Sequence, residues 1–556
     1  MDECLQLKKS NCKNCYKCIR NCPVKSIRFA DNQAHIINTE CILCGQCFLV
    51  CPQNAKEIRN DVPAVQELIA SGTPVYASVA PSFVSNYDIN FASMEQLLKE
   101  FGFAGAEETA VGATIVAKEY EAILDQGDMD VIVSTCCHTI NLLVQKYYPE
   151  VIPNLAPVVT PMHAHCRDLK KRYGDIKTVF IGPCISKKDE GDTYREDVDA
   201  VLTFEEFSAW MDAEEKVFPA VEETEDPFLA RMFPTTGGVI RTMTDRHPDY
   251  TYIAIDGTDR CISALEDIKE GKLRKCFIEM SACQGSCVNG PAMDQKHRAP
   301  IQDFIAVSEF SGSENLRIPA ERQKALSAAF TSQAPRKVVL SDAIIEETLR
   351  KMSKTKPEDE LNCGSCGYNT CREKARAIID GKADLTMCLP ALKEKAESFS
   401  DTIISHTPNG ILVVNENYEV SLINEAACEM LNIKSQSEVL GDHVVRVLDP
   451  TPFINAHQRG EETIAKKKYL TEYKKYVEQT VVFDKDYHII ICIMRDVTTE
   501  TMQLENRQEL SRNTIEITDK VIEKQMRTVQ EIASLLGETT AETKVALTRL
   551  KESLYD

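Results

Sequence analysis

The sequence predicts a multidomain protein with a central α/β domain and several metal-binding segments around it. A chain of 556 residues is too long for one hydrophobic core, and its length suggests three to five domains. Strand-like apolar runs alternate with helical stretches from about 62 to 320, a pattern typical of α/β organisation. The 23 cysteines are too many for a reducing compartment unless most of them bind metal.

Charge and hydropathy limit the partners. A net charge of −21 argues against a nucleic-acid or anionic-membrane surface as the main partner. The start of the chain lacks the apolar core of a signal peptide, and no apolar run is long enough to span a bilayer. We therefore expect a cytoplasmic protein that binds neither nucleic acid nor membrane.

Residues 1–58 contain two copies of the pattern Cys-x2-Cys-x2-Cys-x3-Cys-Pro. Three closely spaced thiolates can hold three irons of a cubane, and in two-cluster ferredoxins the fourth thiolate comes from the other copy. This rule predicts two crossed 4Fe-4S ligand sets: Cys12, Cys15, Cys18 and Cys51; and Cys41, Cys44, Cys47 and Cys22. Structural zinc is the alternative, but zinc does not need the Cys-Pro ending. A ferredoxin-like 2x4Fe-4S domain is the prediction.

Three more cysteine loops follow predicted strands of the central domain. The strands Val131–Val133, 178–181 and 276–278 lead to three short motifs. These motifs are Cys136-Cys137, Pro183-Cys184-x2-Lys187 and Glu279-x3-Cys283-x3-Cys287. Loops at the carboxyl ends of strands are where α/β folds gather functional groups. Four thiolates from these loops could hold a further cubane. The alternative is that they are ordinary buried cysteines. That interpretation is preferred for three other cysteines: Cys166, Cys261 and Cys276.

These motifs, with a Phe-Pro-Thr-Thr-Gly-Gly-Val segment at 233–239, resemble the signatures of the iron-only ([FeFe]) hydrogenases. The resemblance extends from residue 1 to about 310 and implies a hydrogenase H-cluster domain at 62–320. It implies that Cys137, Cys184, Cys283 and Cys287 hold the cubane of the H-cluster. Cys287 would also bridge to a two-iron H-cluster subsite with carbonyl, cyanide and azadithiolate ligands. Lys187 would donate a hydrogen bond to a cyanide, Cys136 would relay protons, and Glu119 is a candidate relay carboxylate.

The sequence departs from that family around the predicted two-iron subsite. His138 replaces a proline, Gly182 and Ser281 replace methionines, and Ser286 replaces a glycine. Val116 stands where a second relay carboxylate is expected. These departures resemble the sensory branch of the family more than its fast catalysts.

A third metal motif lies in the helical segment 336–397. Its spacing resembles the small 4Fe-4S domain of corrinoid-linked proteins, with one ligand on a later helix. A zinc ribbon is the alternative, and the neighbouring clusters favour iron. The ligands of this fourth predicted cubane are Cys363, Cys366, Cys371 and Cys388.

Residues 398–500 resemble an α+β PAS domain. The segments 407–411 and 423–427 form a typical opening, and Arg495-Asp496-Val497-Thr498 forms a typical exit. The flavin motif of light sensors is absent. We expect a PAS domain that dimerises and binds no ligand. The alternative is a PAS domain in which His443 ligates a haem.

The tail, 501–556, is predicted to be a helical coiled coil for dimerisation and signalling. Its apolar residues follow coiled-coil spacing: Ile515, Ile522, Met526, Val529, Ala533 and Leu536. A break is expected at Gly537 and 539–540, before a second short helix. The tail resembles the dimerisation hairpin of kinases, yet Ser534 replaces the phosphoacceptor histidine. We therefore expect no ATP-binding domain and no autophosphorylation.

Together these features predict a slow H2:acceptor oxidoreductase that splits H2 reversibly and reports H2 or redox state through its PAS domain. The expected partners are a ferredoxin or another electron carrier, a signalling protein downstream of the PAS domain, and a second copy in a homodimer. Two alternatives stay open. One is a fully active ferredoxin-linked hydrogenase with a regulatory appendage, and the other is a non-enzymatic iron–sulfur relay that lacks the two-iron subsite.

Overall fold

The computed structural model describes residues 3–8, 11–223, 226–293, 300–319, 322, 326–335, 340–460, 462–536 and 541–553. They fall into two compact units, Met1–Ala391 and Leu392–Asp556. The predicted multidomain α/β organisation, with a ferredoxin-like start and a PAS domain near the end, is confirmed.

The N-terminal segment is built from two similar halves. Its elements are β1 (Leu5–Leu7), α1 (Lys17–Arg20), β2 (Ile27–Ala30), β3 (Gln33–Ile36), α2 (Gln46–Leu49) and β4 (Lys56–Ile58). Strand β1 pairs antiparallel with β4, and β2 pairs antiparallel with β3. The third cysteine of each motif lies in α1 or α2. The first and last strands thus close the segment around the eight cysteines of the two motifs.

The central domain contains two parallel sheets. Its elements are α3 (Val62–Ala70), β5 (Val75–Val79), α4 (Phe83–Tyr87), α5 (Phe91–Glu100), β6 (Gly105–Glu108), α6 (Ala110–Gln126), β7 (Val131–Val133), α7 (His138–Tyr147), α8 (Pro161–Tyr173), β8 (Lys177–Gly182), α9 (Ser186–Thr193), β9 (Ala200–Thr203), α10 (Phe204–Ala213), α11 (Gly238–Thr242), β10 (Thr251–Asp256), α12 (Thr258–Lys269), β11 (Cys276–Ser281) and α13 (Pro300–Phe310). One sheet has the order β6-β5-β8-β9 and the other β10-β11-β7. All residues of β7 are buried, as expected for a parallel strand covered on both faces.

Helices α6 and α8 approach each other closely at Gly112. A Cβ at this position would overlap the Pro161 carbonyl and lie 2.8 Å from His165 Cβ, so a larger residue would push the helices apart. This packing matters for function because α6 carries Tyr120 and α8 carries His163.

The third cysteine motif packs on the ferredoxin-like segment. Its helices are α14 (Asp342–Lys351), α15 (Cys371–Ile379) and α16 (Leu389–His406). Lys25 Nζ donates to the Gly367 carbonyl at 2.9 Å, and Arg20 Nη2 donates to the Ser365 carbonyl at 3.1 Å. The Phe29 amide donates to the Lys382 carbonyl at 2.7 Å. The described part of this segment is therefore tied to the first motif.

Residues 326–335, which lie beyond the expected end of the central domain at 320, are tied to that domain. The Val159 amide donates to the Leu326 carbonyl at 2.9 Å, and the Ala328 amide donates to the Pro157 carbonyl at 3.0 Å. Leu326 is buried. The described residues 326–335 thus extend the central domain beyond the expected boundary at 320.

The second unit begins with an antiparallel sheet of order β13-β12-β16-β15-β14. Its elements are β12 (Gly410–Asn415), β13 (Val420–Ile423), α17 (Glu425–Met430), α18 (Thr451–Ile454), β14 (Thr463–Leu470), β15 (Lys475–Asp484) and β16 (Ile489–Asp496). Asn424 Oδ1 accepts a hydrogen bond from the Ala427 amide and so caps α17. Cys428 and Cys492 lie in the hydrophobic core beside this sheet.

The tail forms two helices, α19 (Thr498–Leu536) and α20 (Ala541–Glu552). Lys551 Nζ lies 3.4 Å from Asp519 Oδ1, so α20 runs back along α19. The break expected at 537–540 lies outside the described residues. Within the described ranges, no helix has both the length and the apolar character needed to cross a membrane.

Candidate active site and metal centres

A cavity of about 110 Å³ lies beyond the carboxyl ends of β7, β8 and β11. Its walls include the four cysteines predicted to hold the H-cluster cubane: Cys137, Cys184, Cys283 and Cys287. Lys187 and Cys136 also line it. The carboxyl ends of parallel strands lie at one edge of their sheet, and the cavity lies where these edges of the two central sheets meet. The structure therefore brings together six of the seven predicted residues.

An ion pair fixes Lys187 in this cavity. Its Nζ donates to Glu190 Oε2 at 2.5 Å and to the Cys136 carbonyl at 3.4 Å. Lys187 and Glu190 lie one turn apart on α9 and are both buried. Burial opposes their charges, but their mutual attraction outweighs it, raises the pKa of Lys187 and lowers the pKa of Glu190 to about 2. Lys187 thus presents a charged hydrogen-bond donor to the cavity.

Cys136 is hydrogen-bonded to a tyrosine that the sequence analysis did not single out. Tyr120 Oη lies 3.1 Å from Cys136 Sγ and 3.2 Å from Thr135 Oγ1. The Thr135 hydroxyl in turn donates to the Val158 carbonyl at 2.7 Å. A peptide carbonyl cannot pass a proton onward, so this chain of donors ends inside the protein. Burial raises the pKa of Cys136 to about 12, which keeps its thiol protonated.

Glu119 does not line the cavity. It is half-buried on α6, and burial raises its pKa. Val116, where a second relay carboxylate was expected, is fully buried. A relay role for Glu119 stays a prediction, and no contact described in the structure leads from Cys136 to its carboxylate.

Glu279 is a further cavity residue to which the sequence analysis gave no role of its own. It is buried at the end of β11 and accepts hydrogen bonds from the amides of Gly237 at 2.9 Å and Ile240 at 3.1 Å. Burial raises the pKa of Glu279 to about 7. The carboxyl group thereby holds the segment at 237–240 against β11, the strand that leads into the Cys283 loop.

Two departures from the hydrogenase pattern, Ser281 and Ser286, are neighbours in the cavity wall. Ser286 Oγ donates to Ser281 Oγ at 3.0 Å and lies 3.1 Å from Thr236 Oγ1. Thr236 donates to Asp256 Oδ2 at 3.0 Å. Ser286 has φ +62°, a conformation that favours glycine. The hydroxyl network thus extends to a carboxylate through a strained residue.

At the third departure, Gly182, the neighbouring Phe180 ring occupies the space that a side chain would need. A Cβ at Gly182 would lie 2.7 Å from the Phe180 ring and 3.1 Å from Ala80 Cβ. Phe180 also lines the cavity. A methionine at position 182 therefore requires Phe180 to move.

The ferredoxin-like segment contains two smaller cavities, each lined by one of the crossed cysteine sets. Cys22, Cys41, Cys44 and Cys47 line one of about 10 Å³, and Cys12, Cys15, Cys18 and Cys51 line one of about 20 Å³. The fold thus gathers the cysteines in the predicted crossed arrangement. Four thiolates per site is a donor set that fits a cubane.

The candidate centres lie next to one another. A Cβ at Gly45 would overlap Pro291, so α2 packs directly on the cavity wall. Burial raises the pKa of Cys283, and the neighbouring thiolates, Cys44 included, raise it further. Burial likewise raises the pKa of Tyr368, with added contributions from Cys366 and Cys22. The second ferredoxin set therefore lies between the cavity and the third motif.

The third motif gathers its cysteines around Lys374. Burial lowers the pKa of Lys374, and the thiolates of Cys388, Cys366 and Cys371 oppose that change. Cys363 is exposed on the preceding loop, where its neighbour Asn362 accepts a hydrogen bond from the Cys371 amide at 2.8 Å. This donor set also fits a cubane.

Four family models match the chain. They describe a 4Fe-4S dicluster domain (residues 4–52), the C-terminal domain of the iron only hydrogenase large subunit (73–291), an Fe-S cluster (359–390) and a PAS fold (398–497).

Two curated proteins show the same relationship. The chain is 27% identical to the periplasmic [Fe] hydrogenase large subunit of Nitratidesulfovibrio vulgaris over 360 residues, which cover 51% of this chain and 85% of that protein. It is 24% identical to iron hydrogenase 1 of Clostridium pasteurianum over 289 residues, which cover 41% of this chain and only 50% of that protein.

Solved structures give a weaker comparison. A variant of the [FeFe]-hydrogenase HydA1 from Chlamydomonas reinhardtii is 15% identical to this chain, with a TM-score of 0.39. The match covers 49% of this chain and 99% of that chain. The family matches and the curated relatives agree: the chain joins a 4Fe-4S dicluster domain, a domain that matches the C-terminal domain of the iron only hydrogenase large subunit, and a PAS domain.

Proposed function

We propose that this protein is a slow iron-only hydrogenase that senses H2 or redox state and signals through its PAS domain. The observation that carries the proposal is the convergence of four cysteines, Lys187 and Cys136 on one cavity. A metal cluster with exogenous ligands needs thiolates to hold it and a buried cation to orient it, and this cavity offers both.

The residues present fit an H-cluster. Cys137, Cys184, Cys283 and Cys287 would hold its cubane, and Lys187 would donate to a ligand of the two-iron subsite. When bound, that subsite supplies Lewis-acid chemistry for splitting H2. The ferredoxin-like cysteine sets would carry electrons between this site and a ferredoxin or another electron carrier.

Low turnover is supported by the surroundings of Cys136. Its hydrogen-bonded chain through Tyr120 and Thr135 ends on a carbonyl. Val116 offers no carboxylate, and Glu119 does not reach the cavity. Proton delivery through Cys136 should therefore be slow, which suits a sensor.

Signalling is supported by the PAS domain and by the helices that follow it. A PAS core followed by a long helix is suited to passing a conformational change to a second copy and to a downstream signalling protein. We propose a cytoplasmic homodimer joined through residues 398–556.

Infrared spectroscopy of the anaerobically matured full chain tests this function. We expect carbonyl and cyanide bands together with about 18 iron atoms per chain, from four cubanes and the two-iron subsite. Absence of the bands would favour the non-enzymatic relay. Bands with turnover equal to that of fast hydrogenases would favour the fully active enzyme with a regulatory appendage.

The variant Cys136→Ala provides the matched control. The bands should persist because Cys136 is not among the predicted cluster ligands, and turnover should fall by less than about tenfold because the hydrogen-bonded chain from its thiol ends on the Val158 carbonyl. Loss of the bands would show that Cys136 is itself a ligand or holds the site together.

A further inference from the structure

A second cavity, of about 30 Å³, lies behind the candidate active site; we call it the rear chamber. Its polar walls are formed by His138, Asn141, Thr160, His163 and Glu190. His138 lines both the rear chamber and the active-site cavity. The two cavities are therefore neighbours that share one wall residue.

Three buried polar atoms in the walls of the rear chamber have no hydrogen-bond partner among the described residues. They are Asn141 Oδ1, Thr160 Oγ1 and His163 Nε2, on side chains that are 2%, 3% and 2% exposed. His163 Nε2 lies 3.4 Å from Glu190 Oε1 but is not aligned for a hydrogen bond. Buried polar groups are nearly always satisfied, so three such atoms at one cavity indicate a ligand.

Water is the ligand that fits. A cavity of about 30 Å³ has room for about one or two water molecules, each of which needs two to four polar partners. The walls provide an amide oxygen, a hydroxyl, an imidazole nitrogen and a carboxylate. Together these groups can both donate to water and accept from it.

We propose that the rear chamber holds ordered water and that Glu190, this water and His163 form a proton outlet separate from Cys136. The water site follows from the chamber alone. The outlet rests on the proposed function, which makes the active-site cavity the source of the protons.

The contacts on either side of the rear chamber give the outlet its direction. Lys187 lines the active-site cavity, and its partner Glu190 lines the rear chamber. On the far side, His163 Nδ1 lies 3.2 Å from Asp197 Oδ2. Asp197 pairs with Arg167 at 2.9 Å, and the Arg167 side chain is 25% exposed. The Asp197 side chain is itself 8% exposed, so the path ends at a carboxylate in contact with solvent.

Each step of the outlet moves one proton and no electrons. Lys187 Nζ gives a proton to Glu190 Oε2, so that an N–H bond breaks and an O–H bond forms, and Lys187 takes a replacement proton from the active-site cavity. The Glu190 carboxyl group then rotates, its O–H bond breaks, and the proton passes to the chamber water. The water passes a proton to His163 Nε2, where an N–H bond forms, while the N–H bond at Nδ1 breaks and its proton goes to Asp197. Asp197 then releases a proton to solvent. The path through Cys136, in contrast, ends on the Val158 carbonyl.

A crystal structure of the full chain, at a resolution that shows water, tests the site itself. We expect a water molecule within hydrogen-bonding distance of at least two of Asn141 Oδ1, Thr160 Oγ1 and His163 Nε2. A well-resolved chamber that is dry, or closed by a rotated side chain, would overturn the whole proposal.

The outlet is tested with Thr160→Val, which removes one wall hydroxyl and keeps the shape. Its matched control is Thr114→Val, since the buried Thr114 hydroxyl already donates to the Ala110 carbonyl in its own helix at 3.1 Å. Isotope exchange between H2 and D2O, catalysed by matured protein, should be about tenfold slower in Thr160→Val. Its infrared bands should match those of the natural chain, and Thr114→Val should exchange normally.

Equal exchange rates in the two variants would overturn the outlet even if the chamber holds water. No exchange by the natural chain would overturn the proposed function and the outlet with it. The water site would then be decided by the crystal structure alone.

Discussion

Ser286 Oγ donates a hydrogen bond to Ser281 Oγ at 3.0 Å in the wall of the candidate active site. In the sequence these residues are two separate departures from the hydrogenase pattern. In the structure they form one unit, anchored through Thr236 to Asp256. The unit replaces an apolar thioether and a glycine by two linked hydroxyls, so the two changes should be energetically coupled.

That coupling can be measured with a double-mutant cycle of Ser281→Ala and Ser286→Ala. We expect the free energies of unfolding to be non-additive by about 0.5–1.5 kcal/mol, because each single change removes the same hydrogen bond. Denaturant unfolding of the full chain provides the values. Strict additivity would mean that the two hydroxyls do not interact.

Tyr120→Phe should destabilise the central domain. The Tyr120 hydroxyl accepts a hydrogen bond from the Thr135 amide at 2.9 Å and contacts Cys136 Sγ. Its removal leaves a buried amide without that partner, at a cost of about 1–3 kcal/mol. Thermal unfolding measures the loss.

The control for Tyr120→Phe is Tyr252→Phe. Tyr252 lies in the same domain, and its part-buried hydroxyl donates to the His247 carbonyl at 3.3 Å. It should cost less. An equal effect of the two variants would contradict the role assigned to Tyr120.

Stability at acid pH should depend on Glu107. Burial opposes its charge, but His165 and Arg172 outweigh burial and lower the pKa of Glu107; Arg172 reaches both of its carboxylate oxygens. A carboxyl whose folded pKa is depressed stabilises the fold above its unfolded pKa, about 4.3 for glutamate, and this contribution disappears as pH falls further.

The variant Glu107→Gln should therefore be less stable than the natural chain at pH 7, and the difference should shrink as pH falls below about 4.3. Thermal unfolding at a series of pH values measures the difference. A gap that stays constant over this range would show that the charge of Glu107 contributes nothing.

The tail should dimerise through a stripe other than the one the spacing predicted. Ile515 and Ile522 are half-buried, whereas Leu510, Ile517 and Val521 are 69%, 62% and 53% exposed. These three residues also follow coiled-coil spacing. Two helical hairpins that pair through the exposed stripe would remove it from water.

Replacement of Leu510, Ile517 and Val521 by serine should give a monomer in light scattering, with the iron content unchanged. The matched variant Ile515→Ser with Ile522→Ser should leave the dimer intact. A reversed result would identify the stripe that contains Ile515 as the dimer contact. A truncation at residue 500 that stays dimeric would exclude the tail as the assembly element.

The ligand sets of the candidate centres could be predicted from cysteine spacing. Spacing within a loop is a local property, and three closely spaced thiolates can hold three irons of a cubane, so the sets around Cys12 and Cys41 follow without knowledge of the fold. The loops carrying Cys137, Cys184 and Cys283 were also predictable, because each follows a strand with a clear apolar pattern. The departures at positions 182, 281 and 286 were likewise visible in the sequence.

The surroundings of those ligands could be known only from the folded chain. The contact of Tyr120 with Cys136, the bond between Ser286 and Ser281, and the approach of His163 to Glu190 all depend on how the loops and helices pack. Such contacts depend on the order of the parallel strands and on close packing of α6 against α8, which leave no local pattern in the sequence. A buried tyrosine or histidine on an apolar helix face looks the same whether it fills the core or borders a site, and only the packing of the neighbouring elements distinguishes the two.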